Sequence, residues 1–149
     1  MDRNVTSTTN DRLLEAVLKV GGDPADMPFW LACADGKFLV HRCGHCGKSY
    51  WPASRCTHHG DAAMSWVEAS GKAALHTYTI LHHAYIPAMK DKVPFVVGVV
   101  QLAEGPFYHT NILECDHDKL EIGMPLSVKM ESHESGLTLP MFIPALVSA

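Results

Sequence analysis

The stretch from Cys43 to His59, C-G-H-C-G-K-S-Y-W-P-A-S-R-C-T-H-H, decides how the rest of this chain is read. Cys43 and Cys46 are two residues apart, the spacing at which a tight knuckle turn brings both thiolates onto one zinc ion. Gly44 and Gly47 suit that turn, because backbone amides must close on sulfur without steric cost. Nine residues later comes Cys56, and His59 follows at the same two-residue interval, completing C-x2-C-x9-C-x2-H. Three thiolates and one imidazole make a closed tetrahedral set, the pattern of a structural zinc. A neutral imidazole in place of a fourth thiolate also leaves the site less negative, which eases its desolvation. His58 stands beside His59, and a slip of one residue would make it the fourth ligand instead; the mirrored spacing favours His59. Between the knuckles, Lys48 to Pro52 can form a short hairpin that lays aromatic surface over the ion. The plainer reading, three reduced cysteines buried as small apolar residues, accounts less well for the paired spacing.

Outward from this ribbon, the 149 residues suffice for one ordinary core and a small metal-held appendage, not for two large domains. Hydrophobic residues make up 47% and charged residues 19%, so the chain is globular and somewhat apolar, with surface to spare for a partner. Twelve basic residues against 16 acidic ones give a net charge of -4 with no basic run, which disfavours broad phosphate-backbone binding. Met1 to Asn10 lack the basic and apolar regions of a secretory signal, and no stretch reaches the 18 or more apolar residues of a membrane span. An odd cysteine count with knuckle spacing points to a reducing compartment, so a cytoplasmic location is expected.

Upstream of the ribbon, Met1 to Asn10 read as a polar, disordered arm. Leu13, Leu14, Val17 and Leu18 recur at helical spacing after Asp11, and Gly21-Gly22 end that helix. It is too short to be stable alone and must dock on its own domain or on another subunit. Pro28 starts a second short helix with Phe29, Trp30 and Cys33, the last read as a small buried residue, before Asp35-Gly36 turns the chain into an extended run from Lys37 to Arg42.

Downstream, the composition is that of strands. Ser65 to Ala69 and Ala73 to Tyr85 read as one long strand broken by a glycine bulge at Ser70-Gly71. Val93 to Leu102 is apolar on both faces and therefore central, with Gly98 marking a bend or a close backbone approach. Phe107 to Glu114 forms a third strand, Asp116 to Glu121 a brief helix, and Leu126, Val128 and Met130 alternate in a fourth. Leu137, Leu139, Met141 and Ile143 share one face of a fifth, which Pro140 and Pro144 mark as an edge. Five strands with a long bent first member and a helix between the third and fourth outline an OB-fold barrel. The expected fold is thus mostly β: N-terminal arm and helices (1–36), zinc ribbon (37–62) and five-stranded OB-fold barrel (63–149).

Several pieces in this order, F-W-L-A-C-A-D-G-K-F-L-V-H-R-C-G-H-C-G, W-P-A-S-R-C, V-P-F-V-V-G-V-V-Q-L-A-E-G, I-G-M-P-L-S-V and a late F-I-P, resemble acyl-CoA-associated proteins that join a rubredoxin-like zinc ribbon to an OB-fold. That family was long catalogued as a domain of unknown function. The resemblance runs from Pro28 to the C-terminus, and departs from the family where His59 replaces its usual fourth cysteine. It implies an accessory subunit of a heteromeric CoA-thioester enzyme, a thiolase, acyltransferase or aldolase of thiolase fold. The partner would carry the nucleophile, and this subunit would serve assembly and the passage of CoA or acyl-CoA.

The chain's own chemistry is sparse. His82-His83 lie where a barrel strand runs into a loop and could carry a proton. Cys115-Asp116-His117 looks like a nucleophile with a base, but neighbours on extended chain point to opposite faces. Lys48, Arg55, Lys72, Lys90 and Lys92 are available for CoA phosphates, with solvated surface lysine as the simpler reading of each. The accessory-subunit reading leads. Two others stand beside it: an independent acyl-CoA-binding or hydrolysing protein, and a single-stranded nucleic-acid binder, which the acidic balance opposes.

Overall fold

A computed structural model describes the backbone from residue 3 to 146, with side chains from Thr8 onward. Two helices precede the strands: α1 (Arg3–Lys19) and α2 (Met27–Ala34), joined by a 3-10 turn at Pro24–Asp26 whose start is capped by the Asp23 carboxylate accepting from the Ala25 amide. The polar stretch expected to be a disordered arm is helical from Arg3. Nothing between Arg3 and Asn10 is a glycine or proline, so the helix runs on through residues that carry no apolar periodicity. Met1 and Asp2 of that arm lie outside the described residues.

The open question of where α1 docks has an intramolecular answer. Leu13, Ala16 and Val17 are buried with Leu137, against Met27, Trp30 and Leu139, so the helix lies on α2 and on the last hairpin. Leu18 of the anticipated apolar face is half exposed, at 52%.

Strands β1 (Leu39–Cys43), β2 (Ser49–Tyr50) and β3 (Met64–Glu68) form a three-stranded antiparallel sheet in the order β2-β1-β3. This corrects the reading of Ser65 to Tyr85 as a single strand: the first part pairs with β1, from Leu39↔Glu68 to Cys43↔Met64, in the ribbon. The chain changes sheets at Ser70-Gly71. The Ser70 amide and hydroxyl both donate to the Glu104 carboxylate, at 2.7 and 2.8 Å, and Gly71, at φ +76°, packs where a Cβ would come within 2.5 Å of Val128 Cγ1. Two properties therefore call for glycine there, the left-handed backbone and the missing side chain.

Strands β4 (Lys72–Leu81), β5 (Phe95–Leu102), β6 (Phe107–Ile112), β7 (Pro125–Ser132) and β8 (Thr138–Pro144) close a barrel in the order β4-β5-β6-β8-β7. This is the OB-fold topology, with the first strand shared between β5 and β7, and with β6 and β8 parallel. The irregularity in β4 falls at His76, where the register steps from Leu75↔Val100 to Thr77↔Val99, rather than at the glycine. A 3-10 turn, His117–Lys119, occupies the position of the expected helix before the fourth barrel strand. Gly98 faces the interior, where a Cβ would sit 3.0 Å from Ile112, which accounts for the close approach expected there.

β8 is a barrel strand, not an edge. It pairs with β7 along its whole length and with β6 at Ile112↔Phe142. Pro140 is tolerated because its missing N–H falls on the sparsely paired β6 side, where its carbonyl accepts from the Thr110 hydroxyl at 3.0 Å. Pro140 and Phe142 point inward, and Leu139, Met141 and Ile143 lie on the outer face, half-buried, with Leu139 under α1.

One core serves both sheets. Phe29 and Cys33 of α2 and Phe38 and Val40 at the ribbon are buried in the same cluster as Leu75, Val96, Val100, Ile112, Leu126 and Phe142 of the barrel. Phe38 stands edge-on to Tyr108 (5.1 Å between centroids) and to Phe142 (6.2 Å), while Trp51 lies 4.3 Å from Phe29 and 5.5 Å from Tyr108. The α2 and ribbon aromatics thus stopper the Tyr108–Phe142 end of the barrel.

Candidate metal centre

The ribbon sheet ends in two turns that face each other. In the first, Gly47 donates to the Cys43 carbonyl at 2.8 Å with φ +71°, and Cys43 donates to the Lys48 carbonyl at 3.0 Å, folding Cys46 back over Cys43. In the second, Cys56 and Gly60 exchange amide hydrogen bonds at 2.9 and 3.0 Å, setting Cys56 and His59 on one side of a small loop. The segment leading from the second loop into β3 ties the two turns together, because Gly44 donates to the carbonyl of Ala63, the residue before β3, at 2.8 Å.

The ligand atoms of Cys43, Cys46, Cys56 and His59 all lie within 4.8 Å of one another. Cys46 Sγ is 3.7 Å from Cys56 Sγ, and His59 Nδ1 is 3.7 Å from Cys43 Sγ and 3.5 Å from Cys56 Sγ. Tetrahedral zinc at ordinary bond lengths implies edges of about 3.8 Å between sulfurs and about 3.6 Å between sulfur and nitrogen. The donor set therefore fits a tetrahedral metal ion in both its chemistry and its spacing. Cys43 and Cys56 are buried, whereas Cys46 and His59 are exposed, which places the site at the ribbon tip. His58, the alternative fourth ligand, is outside the cluster, its ring 6.4 Å from that of His59.

A residue that spacing did not single out completes the surroundings. The Tyr50 hydroxyl, on β2, donates to Cys56 Sγ at 3.3 Å. Chiefly through this hydrogen bond, with help from the His58 and His59 amides and the His59 ring and against burial, the Cys56 thiol is brought down to about 5. Only the aromatic character of Tyr50 was legible beforehand; its hydroxyl requires the fold of the second loop.

The other candidates do not assemble. His82 and His83 are exposed after β4, with His83 edge-on to Tyr85 at 5.3 Å, and neither makes a hydrogen bond among the described residues. The Cys115 thiol is pushed up by burial and by Asp116 and Asp118 against Lys119, and Asp116 is engaged by Lys119 at 2.9 Å. That is the reverse of an activated nucleophile. Among the basic residues, Lys48 lies over the Tyr50 ring at 5.4 Å and Lys92 pairs with Glu134 at 3.9 Å; Lys72 is on β4 and Lys90 beside the Tyr85-Ile86 loop. No helix among the described residues is long and apolar enough to cross a membrane.

Comparison with known proteins agrees with this architecture. A family profile, that of the ChsH2 C-terminal OB-fold domain, matches residues 66–131. The chain is 37% identical over 123 residues, 81% of its length, to a probable enoyl-CoA hydratase alpha subunit of Thermomonospora curvata, of which the match covers 38%. It is 31% identical over 86 residues, 55% of its length, to a DUF35 domain-containing scaffold protein of Methanothermobacter thermautotrophicus, covering 62% of that protein. The chain thus spans less than two thirds of the length of these curated relatives. A DUF35 protein of Sulfolobus solfataricus shares the fold at a TM-score of 0.57 and 18% identity, over 82% of this chain and 86% of that one. The Ltp2-ChsH2(DUF35) aldolase contains a chain that superimposes with a TM-score of 0.72 at 33% identity, over 81% of this chain and 94% of that one. With that identity over 94% of a chain of the Ltp2-ChsH2(DUF35) aldolase, and the ChsH2 OB-fold profile matching the barrel region, the protein belongs to the DUF35 family.

Proposed function

We propose that this chain is a non-catalytic, zinc-binding subunit of a heteromeric CoA-thioester enzyme whose catalytic partner has a thiolase fold. Its task in that assembly is scaffolding and shaping the passage of CoA or acyl-CoA to the partner's active site. The observation that carries the reading is the likeness to a chain of the Ltp2-ChsH2(DUF35) aldolase, which extends over 94% of that chain. Two things support it: the enoyl-CoA hydratase alpha subunit among the relatives, and the surroundings of Cys115, where burial and the Asp116 and Asp118 carboxylates push the thiol up rather than activating it. In this reading the three parts have separate tasks: the helical part (1–36) covers one side of the barrel, the ribbon (37–62) holds one structural zinc through Cys43, Cys46, Cys56 and His59, and the barrel (63–149) carries the partner-facing surface. A cytoplasmic location belongs to the same proposal, since thiolate ligands need a reducing environment.

Zinc would clamp two loops that have almost no apolar core of their own. Cys56→Ser is expected to abolish stoichiometric zinc and loosen the ribbon. Native mass spectrometry of the protein, purified gently from its own host, tests both halves of the proposal. Recovery with a stoichiometric thiolase-fold chain, and a mass increment of one zinc per copy, is the expected result. Recovery alone would remove the accessory-subunit reading, and recovery without zinc would remove the metal reading.

A further inference from the structure

We infer that Tyr50 is a positioning residue of the metal centre, its hydroxyl acting as a fixed outer-shell hydrogen-bond donor to the Cys56 thiolate. The inference rests on the zinc reading above. The phenol has one proton and two acceptor sites, and the structure provides a partner for each. The Thr57 amide donates to the Tyr50 oxygen at 3.2 Å, and the Thr57 hydroxyl lies 3.2 Å from it; with both as donors, the phenol proton is left for Cys56 Sγ at 3.3 Å. An O–H···S bond to a metal thiolate spreads its charge and fixes the direction of its lone pairs.

The placement matters because the four ligands are not equally supported. Cys43 ends β1 and pairs with Met64 of β3, whereas Cys56 and His59 belong to a loop whose backbone bridge, among the described residues, joins Cys56 to Gly60 within the same loop. Tyr50, paired with His41 on β1, is therefore a tie from the sheet to the Cys56–His59 half of the site, independent of the metal. It gives Cys56 a fixed position before the ion arrives.

The test uses the full chain, loaded with zinc for affinity and with Co2+ for spectroscopy. Tyr50→Phe keeps the ring and removes the hydroxyl. Zinc retention against a competing chelator is expected to weaken roughly 10- to 100-fold. The sulfur-to-cobalt charge-transfer band is expected to move to lower energy, because a thiolate relieved of its hydrogen bond is a stronger electron donor. Thr57→Val, which removes one of the contacts orienting the phenol, should move the band the same way by less, and does not depend on how well Tyr50→Phe folds. An unchanged band in both variants overturns the inference, even if affinity falls, since loss of packing alone would do that. Wild-type protein that takes up neither ion would instead overturn the metal reading itself, and this inference with it.

Discussion

At the scale of single residues, the two positions that most constrain the chain are a ligand and a hinge. His59 is brought into the donor cluster by Nδ1, while its neighbour His58 is outside the cluster. His59→Ala should lower zinc retention sharply in chelator competition, and His58→Ala should leave it within a few-fold of wild type. The reverse outcome would move the fourth ligand by one residue. At Gly71, the left-handed backbone and the 2.5 Å approach to Val128 Cγ1 act together. Gly71→Ala is expected to cost about 2 to 4 kcal/mol, from backbone strain plus the displacement of a packed valine. Urea denaturation at unchanged slope would measure it, and a loss below about 0.5 kcal/mol would mean that β7 yields freely at this point.

At the scale of elements, what could be read in advance was what periodicity and spacing encode locally. The cysteine intervals, the core-facing Leu126, Val128 and Met130 of β7, and the order of five barrel strands with a short helical turn before the fourth are local signals, and they match the structure. Which sheet a strand joins is not local. Met64–Glu68 and Lys72–Leu81 differ little in composition, and their separation depends on Glu104, 34 residues from the Ser70 it caps. The last strand misled for a related reason: helices cover its outer face, so both faces are apolar and its prolines read as an edge. The docking of α1 was illegible because its receptor, Leu137 with Leu139, is contributed from the far end of the chain. That contact predicts that Val17→Asp, which puts a charge at a fully buried position, frees α1 from the hairpin while the barrel persists. Hydrogen exchange should then accelerate through α1 and leave β5, the strand between β4 and β6, as protected as in wild type. Equal loss of protection in β5 would show instead that the helix is part of the barrel's cooperative unit.

For the whole molecule, the question is whether the metal holds only the ribbon or the entire fold. Zinc in small finger peptides contributes about 10 to 16 kcal/mol of apparent binding free energy, comparable with the stability of a domain. If the ribbon were an independent appendage, removing the ion would unfold it alone. Here Phe29, Phe38 and Val40 lie in the same buried cluster as the barrel interior, with Trp51 packed against it, so a loosened ribbon unstoppers the barrel. The expected result of chelation is a lower melting temperature for the whole chain in one transition. The sequence supplies separate reporters. All three tryptophans, Trp30, Trp51 and Trp66, pack against that cluster at α2 and the ribbon, so fluorescence follows this end of the molecule, while far-UV circular dichroism is weighted by the barrel strands and α1. Coincident transitions before and after chelation, both displaced downward, would establish one cooperative core spanning metal and barrel. A fluorescence transition that moves alone would make the ribbon a separable unit, and a scaffold able to lose its metal end without losing its barrel.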